Sequence, residues 1–94
     1  MTSRHEYIEK FKNKLDEWDT DIDELEAGAK RAKADMKNEL DDQIIILRLK
    51  RDIARLKLSE IMEASEEAWE DVKQGAEEAW TEVRHAMEKA KSHF

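Results

Sequence analysis

Ninety-four residues make at most one domain, and 44% of them are charged, with 6% aromatic, no proline and two glycines, Gly28 and Gly75. The absence of cysteine excludes disulfides and thiolate metal sites. A net charge of −7 argues against nucleic acid as a partner, because such binding rests on Lys and Arg neutralising phosphates.

High charge and low mean hydropathy also occur in disordered chains. Here, however, Glu, Lys, Ala and Leu carry apolar residues at regular spacing, which points to long helix. The first residues turn charged at once, with Arg4, His5 and Glu6, and form no apolar signal core. No stretch approaches the roughly 20 apolar residues that span a bilayer. The expected location is the cytoplasm.

Taken in chain order, Ile8, Phe11, Leu15, Trp18, Ile22, Leu25, Ala29, Ala32 and Met36 recur at alternating steps of three and four. That seven-residue repeat keeps one narrow seam facing a partner helix. From Met36 to Leu40 and Ile44 both steps are four, a stutter that locally unwinds a supercoil. Ile44, Leu47, Ala54, Leu58 and Ile61 continue the seam, with Arg51 at one of its positions. An eleven-residue duplication follows, Glu66–Ala76 and then Glu77–Met87, whose seam is Trp69, Val72, Ala76, Trp80, Val83, Met87, Ala90 and Phe94.

No Pro, Gly or Asn cluster punctuates a turn. The pattern therefore reads as one helix, about 140 Å long at 1.5 Å per residue. The alternative is a hairpin bent near residues 37–43, where the stutter meets Asn38, Asp41 and Asp42. One such helix leaves its seam uncovered, so helical partners are expected.

The centre differs from the rest. At 100° per residue, residues 44–62 form two apolar stripes. The seam stripe holds Ile44, Leu47, Ala54, Leu58, Ile61 and Met62, and the opposite stripe holds Ile45, Ile46, Leu49, Ile53 and Leu56. Five exposed aliphatics forgo about 1.5–3 kcal/mol each, so this segment is expected to touch helices on two sides. Two other readings stand beside that one. The second stripe is a solvated face, or, with Arg48, Lys50, Arg51, Arg55 and Lys57 around it, an amphipathic membrane-surface contact.

Charge is also patterned. Asp16–Glu26 holds seven acids and no base, while Arg48–Lys57 holds five bases and one acid, Asp52. The blocks lie symmetrically about residue 37. An antiparallel neighbour or a hairpin would set one against the other.

The strings Leu15-Asp16-Glu17-Trp18, Ile22-Asp23-Glu24-Leu25-Glu26-Ala27, Ala68-Trp69-Glu70-Asp71-Val72-Lys73 and Ala79-Trp80-Thr81-Glu82-Val83, with the ending Glu88–Phe94, carry a likeness over most of the chain. Together they resemble a family of short bacterial coiled-coil proteins of uncharacterised function. That resemblance implies a bacterial, soluble, helical protein with no catalytic residues to carry over. The departure lies at residues 44–58, where such proteins continue rich in Glu, Lys and Ala. The aliphatics found here suggest an assembly surface, either particular to one lineage or engineered.

Sites of chemistry find little footing. Glu82-x-x-His85 has the spacing of di-iron bundles, but those sites need facing carboxylates and this seam is apolar. Asp19-x-Asp21-x-Asp23 opens like a calcium loop, yet Glu24 stands where glycine is required and Lys30 where the bidentate glutamate belongs. His5 and His93 are terminal. Trp18, Trp69 and Trp80 fall on the seam as core residues. No cofactor, metal or catalytic group is expected.

The sequence thus predicts an all-α, non-catalytic structural or interaction protein that self-associates, as a homo-oligomeric coiled coil, helical bundle or filament. The self-association seam is Ile8, Phe11, Leu15, Trp18, Ile22, Leu25, Met36, Leu40, Ile44, Leu47, Leu58, Ile61, Trp69, Val72, Trp80, Val83 and Met87. The second contact face is Ile45, Ile46, Leu49, Ile53 and Leu56. The other function in view is a peripheral lipid-binding helix protein.

Overall fold

The computed structural model describes residues 3–93, and it is all-helical. Helix α1 spans Arg4–Lys30, α2 spans Ala34–Glu63 and α3 spans Trp69–Ser92, with no strand among the described residues. The helices lie side by side in a body of 51 × 19 × 17 Å. Ser3 starts α1, its hydroxyl accepting from the Glu6 N–H at 3.2 Å, which satisfies one of the unpaired first-turn donors.

The helices pack against one another, as expected of the class, but the turns fall elsewhere than the sequence suggested. The chain turns at residues 31–33 and again at residues 64–68, so one rod becomes three helices, each antiparallel to the one before it, with α3 parallel to α1. Residues 37–43, the expected bend, lie inside α2. At the first turn the Arg31 and Ala32 N–H groups fold back onto the Gly28 and Ala29 carbonyls, and Arg31 Nε donates to the Ala27 carbonyl at 3.3 Å. Lys30 and Arg31 also place positive charge at the negative end of the helix. At the second turn the Ser65 hydroxyl accepts from the Ala68 N–H, and its carbonyl accepts from the Trp69 N–H. No described residue needs a positive φ, so neither turn calls for Gly, Pro or Asn. The stutter beginning at Met36 is the trace of the first turn. Helical phase restarts at Ala34, Met36 is 48% exposed, and Leu40 is the first residue of α2 to reach the core.

The seam meets itself inside one chain. Phe11, Leu15, Trp18, Ile22 and Leu25 of α1, Leu40, Ile44, Leu47, Leu58 and Ile61 of α2, and Trp69, Val83 and Met87 of α3 are buried together. Ile8, Val72 and Trp80 are half-buried against them. Tyr7, Ala29, Ala54, Ala76, Ala79 and Ala90 complete this core, and Phe94 lies outside the described residues. Between α1 and α3 the contact is aromatic. Trp80 sets its ring at 5.1 Å from Phe11 and 5.4 Å from Trp18, edge-on to both. Such edge-to-face pairs add about 0.5–1.5 kcal/mol beyond the area they bury.

The acidic and basic blocks do face each other, between α1 and α2. Asp19 accepts from Arg51 at 3.1 Å and Arg55 at 3.0 Å, and Glu26 pairs with Arg48. On the other side Lys50 pairs with Glu82 of α3. Side chains lean toward the N-terminus of their own helix. Antiparallel partners therefore reach toward each other along the bundle. This is why the charge blocks centre near residue 37 although the chain turns at residues 31–33.

The last turn of α2 carries no basic residue, and Arg4 supplies one from α1. Its Nη2 donates to the Ile61 carbonyl at 2.7 Å and the Met62 carbonyl at 2.8 Å. A guanidinium there satisfies carbonyls that have no intrahelical partner and complements the helix dipole. Arg4→Ala is expected to lower unfolding stability by about 1.5–3 kcal/mol, measured by urea denaturation with unchanged helicity before the transition. Gly75 is a second test position. A Cβ there would meet the Lys57 side chain at 3.8 Å, an ordinary contact. Gly75→Ala is expected to raise stability by about 0.5–1 kcal/mol, seen as a higher denaturation midpoint.

Candidate interaction surface on the central helix

Burying the first stripe of α2 leaves the second facing outward. Ile45, Ile46, Leu49, Ile53 and Leu56 are 41–64% exposed, and Met62 is 47% exposed beyond them. The five occupy one face over about 17 Å of helix, and no charged residue from 45 to 56 interrupts their centre. Asp52 flanks one edge, and Asp42 and Glu60 close the two ends, all three exposed. On the α3 side, Ile46 and Ile53 border shallow hollows shared with Ala79, Glu82 and Ala86. Exposed apolar patches of this kind are the usual candidates for contact surfaces on small soluble bodies.

Of the five bases that accompany this stripe in the sequence, four are paired with acids of the neighbouring helices, and Lys57 lies on the α3-side flank, 3.4 Å from Glu60. Arg48, Arg51 and Arg55 turn toward α1 and its Asp19 and Glu26, while Lys50 turns toward Glu82. Glu82 is held below its ordinary pKa, first by the hydrogen bond from Lys50 and then by that ammonium's charge. Glu82 is thus tied to Lys50, and although Glu82 and the exposed His85 border the same shallow hollow, the other polar groups there are Gln43 and the cations Lys50 and Lys89, with no facing carboxylate among the described residues. Among the described residues no group of three or more His, Asp or Glu side chains gathers as a metal site. No helix among them is long and apolar enough to cross a membrane.

A second concave region lies between α1 and α3, lined by Tyr7, Lys10, Lys73, Glu77, Trp80 and Thr81. The Lys73 ammonium lies 5.1 Å from the Tyr7 ring centroid and 5.7 Å from that of Trp69, a cation–π lid on two core aromatics. The Tyr7 hydroxyl is buried without a hydrogen-bond partner. Burial, with a smaller contribution from Glu77, pushes the phenol up to about 12. A phenol shifted this way is harder to ionise, the opposite of what a proton acceptor requires.

Comparison with known protein families finds no family model that matches the chain, and comparisons with curated proteins and with solved structures find no match either.

Tyr7 generates a pH test. Its folded-state pKa lies above the ordinary value of 10, so as pH rises the unfolded chain loses this proton first. The unfolded state then binds fewer protons, and stability falls through the window from pH 10 to 12. Tyr7→Phe is expected to flatten that fall in thermal melts relative to the parent. At pH 7 the same change should leave stability unchanged or raise it by about 1 kcal/mol, since it removes a buried hydroxyl that has no partner.

Proposed function

We propose that this chain is a non-catalytic interaction protein, a three-helix bundle whose outward α2 stripe docks on a second copy of itself. The observation that carries the reading is the row Ile45, Ile46, Leu49, Ile53 and Leu56, left 41–64% exposed after every other large aliphatic of 44–61 is buried. About half of each of these side chains remains to be covered. Covering five on each of two copies is worth roughly 7–15 kcal/mol, set against roughly 4–15 kcal/mol lost in bringing two bodies together. The balance suits a dimer that forms and dissociates with concentration. An anionic lipid surface is the poorer occupant. Arg48, Arg51, Arg55 and Lys50 are engaged with acids of α1 and α3. Among the described residues that leaves Lys57, beside Glu60, as the one base of the five without an acid partner on another helix, and the stripe is edged by Asp42, Asp52 and Glu60.

Light scattering coupled to size exclusion, run across a dilution series, tests this. The parent is expected to shift toward the mass of a dimer as concentration rises. Leu49→Glu with Ile53→Glu should hold the chain as a monomer of unchanged helicity, because both positions lie outside the core. A parent that is monomeric at every concentration, or a double variant that still dimerises, overturns the proposal. If the monomeric parent instead sediments with phosphatidylserine vesicles and the double variant does not, the lipid surface is the occupant.

A further inference from the structure

We infer that the two copies meet through α2 in parallel and in register, as a two-heptad coiled-coil seam built on the bundle surface. The inference rests on the self-association proposed above and specifies its geometry. Asp42, Ile46, Leu49, Ile53, Leu56 and Glu60 follow one another at steps of four, three, four, three and four. This is the spacing of alternating core positions in a heptad repeat. Ile46 and Ile53 take the first core position and Leu49 and Leu56 the second, the choice that favours two strands when helices run parallel. The alternative seam, through Ile45, Leu49, Asp52 and Leu56, would bury a carboxylate among apolar side chains, which costs several kcal/mol in real proteins. The face therefore has one usable register.

Charge then selects the direction. With this register, Lys50 and Lys57 flank the seam on the α3 side, and Asp52 flanks it on the α1 side. In a parallel pair each flank faces the opposite flank of the other copy, so Asp52 of each copy reaches Lys57 of its mate, twice by symmetry. An antiparallel pair of the same apolar residues would place its two-fold axis at Arg51. That axis sets Lys50 against its own counterpart and Asp52 against its own. Each group has its polar partner on its own helix: Asp52, 58% exposed, accepts from Arg51 at 3.1 Å, and Lys57, 36% exposed, lies 3.4 Å from Glu60 with its stem beside Gly75. Pairing with a mate exchanges those polar contacts, neither of which joins two helices of the bundle. The acids at Asp42 and Glu60 meet an acid in either direction. They limit the seam to two heptads without choosing between the two orientations.

The fifth aliphatic is also placed by this geometry. Ile45 stands on the α1-side flank, where a parallel partner presents the carbon stem of Lys50. Beside that stem lies the hollow formed with Ile46 and Ala86. The α3 wall is low there because Ala79 and Ala86 carry small side chains. In the antiparallel arrangement Ile45 would face Ser59 and remain in water.

Because the chain has no cysteine, single thiols can report the direction. Asp42→Cys and Glu60→Cys keep all five aliphatics and lie about 27 Å apart along α2, far beyond the ~7 Å Cα separation a disulfide tolerates. In the parallel dimer each variant alone should oxidise to a covalent dimer, and an equimolar mixture should contain no 42-to-60 link by peptide mass mapping. Links found only in the mixture overturn the parallel inference while self-association stands. If the parent dimerises by light scattering but neither cysteine variant nor their mixture forms a link, this seam is not the interface. If the parent is monomeric and no variant links, self-association itself falls. Charge exchange provides an independent reading. Lys57→Asp should weaken dimerisation about threefold to tenfold, and adding Asp52→Lys should restore most of it. No restoration means that the two flanks do not meet.

Discussion

Trp80 presses its indole edge into the space between Phe11 and Trp18, and this wedge makes a three-helix core out of two helical hairpins. Helix α2 touches both neighbours along its length, but α1 and α3 are joined chiefly by aromatic rings, with Tyr7 against Trp69 at the open end. Three tryptophans in a chain so short of aromatics are concentrated where two helices must be bridged. Aliphatic side chains would span that gap less well. Phe11 and Trp18 stand seven residues apart, equivalent positions one heptad apart on the seam with Leu15 between them, so their rings flank a space on the α3 side. The indole of the third helix fills that space, as in knob-into-hole packing.

Around that core, charge supplies orientation more than strength. Asp19 with Arg51 and Arg55, Glu26 with Arg48, and Glu82 with Lys50 are partly exposed pairs at the bundle surface, where such pairs are worth about 0.2–1 kcal/mol each. Their collective effect is to favour the antiparallel order of α1, α2 and α3 over any slipped or reversed packing, since a parallel α1–α2 hairpin would separate the blocks. Arg4 does something different. By donating to the ends of α2 it ties the first turn of α1 to the place where the chain reverses a second time, and so fixes the length of the first hairpin.

The helical class, the buried seam, the facing charge blocks and the outward stripe were all legible in the residues. A helix of one apolar stripe declares its core by period alone, and Phe11, Trp18, Leu47, Ile61 and Val83 are fully buried as their spacing requires. The turns were not legible, because they are built from Arg31 to Lys33 and Ala64 to Ala68 without a glycine or proline whose backbone would announce them. One signal existed. Ser65 ahead of Glu66 and Glu67 is a helix-start pattern, and Ser65 does bond the N–H of Ala68. At Lys33 there was no such mark, since α2 begins without a side-chain cap. Arg4 could not be read at all, for its partners are backbone carbonyls almost sixty residues away.

The position of the second stripe follows from the order of the helices. In a three-helix bundle each helix needs one apolar face, and α1 and α3 have one each. Only α2 carries two, and the second points away from both neighbours. Those five aliphatics add nothing to the bundle's own core, and exposed large side chains favour aggregation. A patch of two heptads would be too short to hold together a free coiled coil, since isolated helices below about 12–15 residues are marginal and must first be nucleated. Here that constraint is lifted. The intramolecular core already holds α2 helical over 30 residues, so docking a mate orders side chains and not backbone. A short, uncharged seam on a pre-formed helix would therefore suffice for the reversible contact proposed above. In that pairing the acidic ends, Asp42 and Glu60, would keep the seam from extending further along the helix.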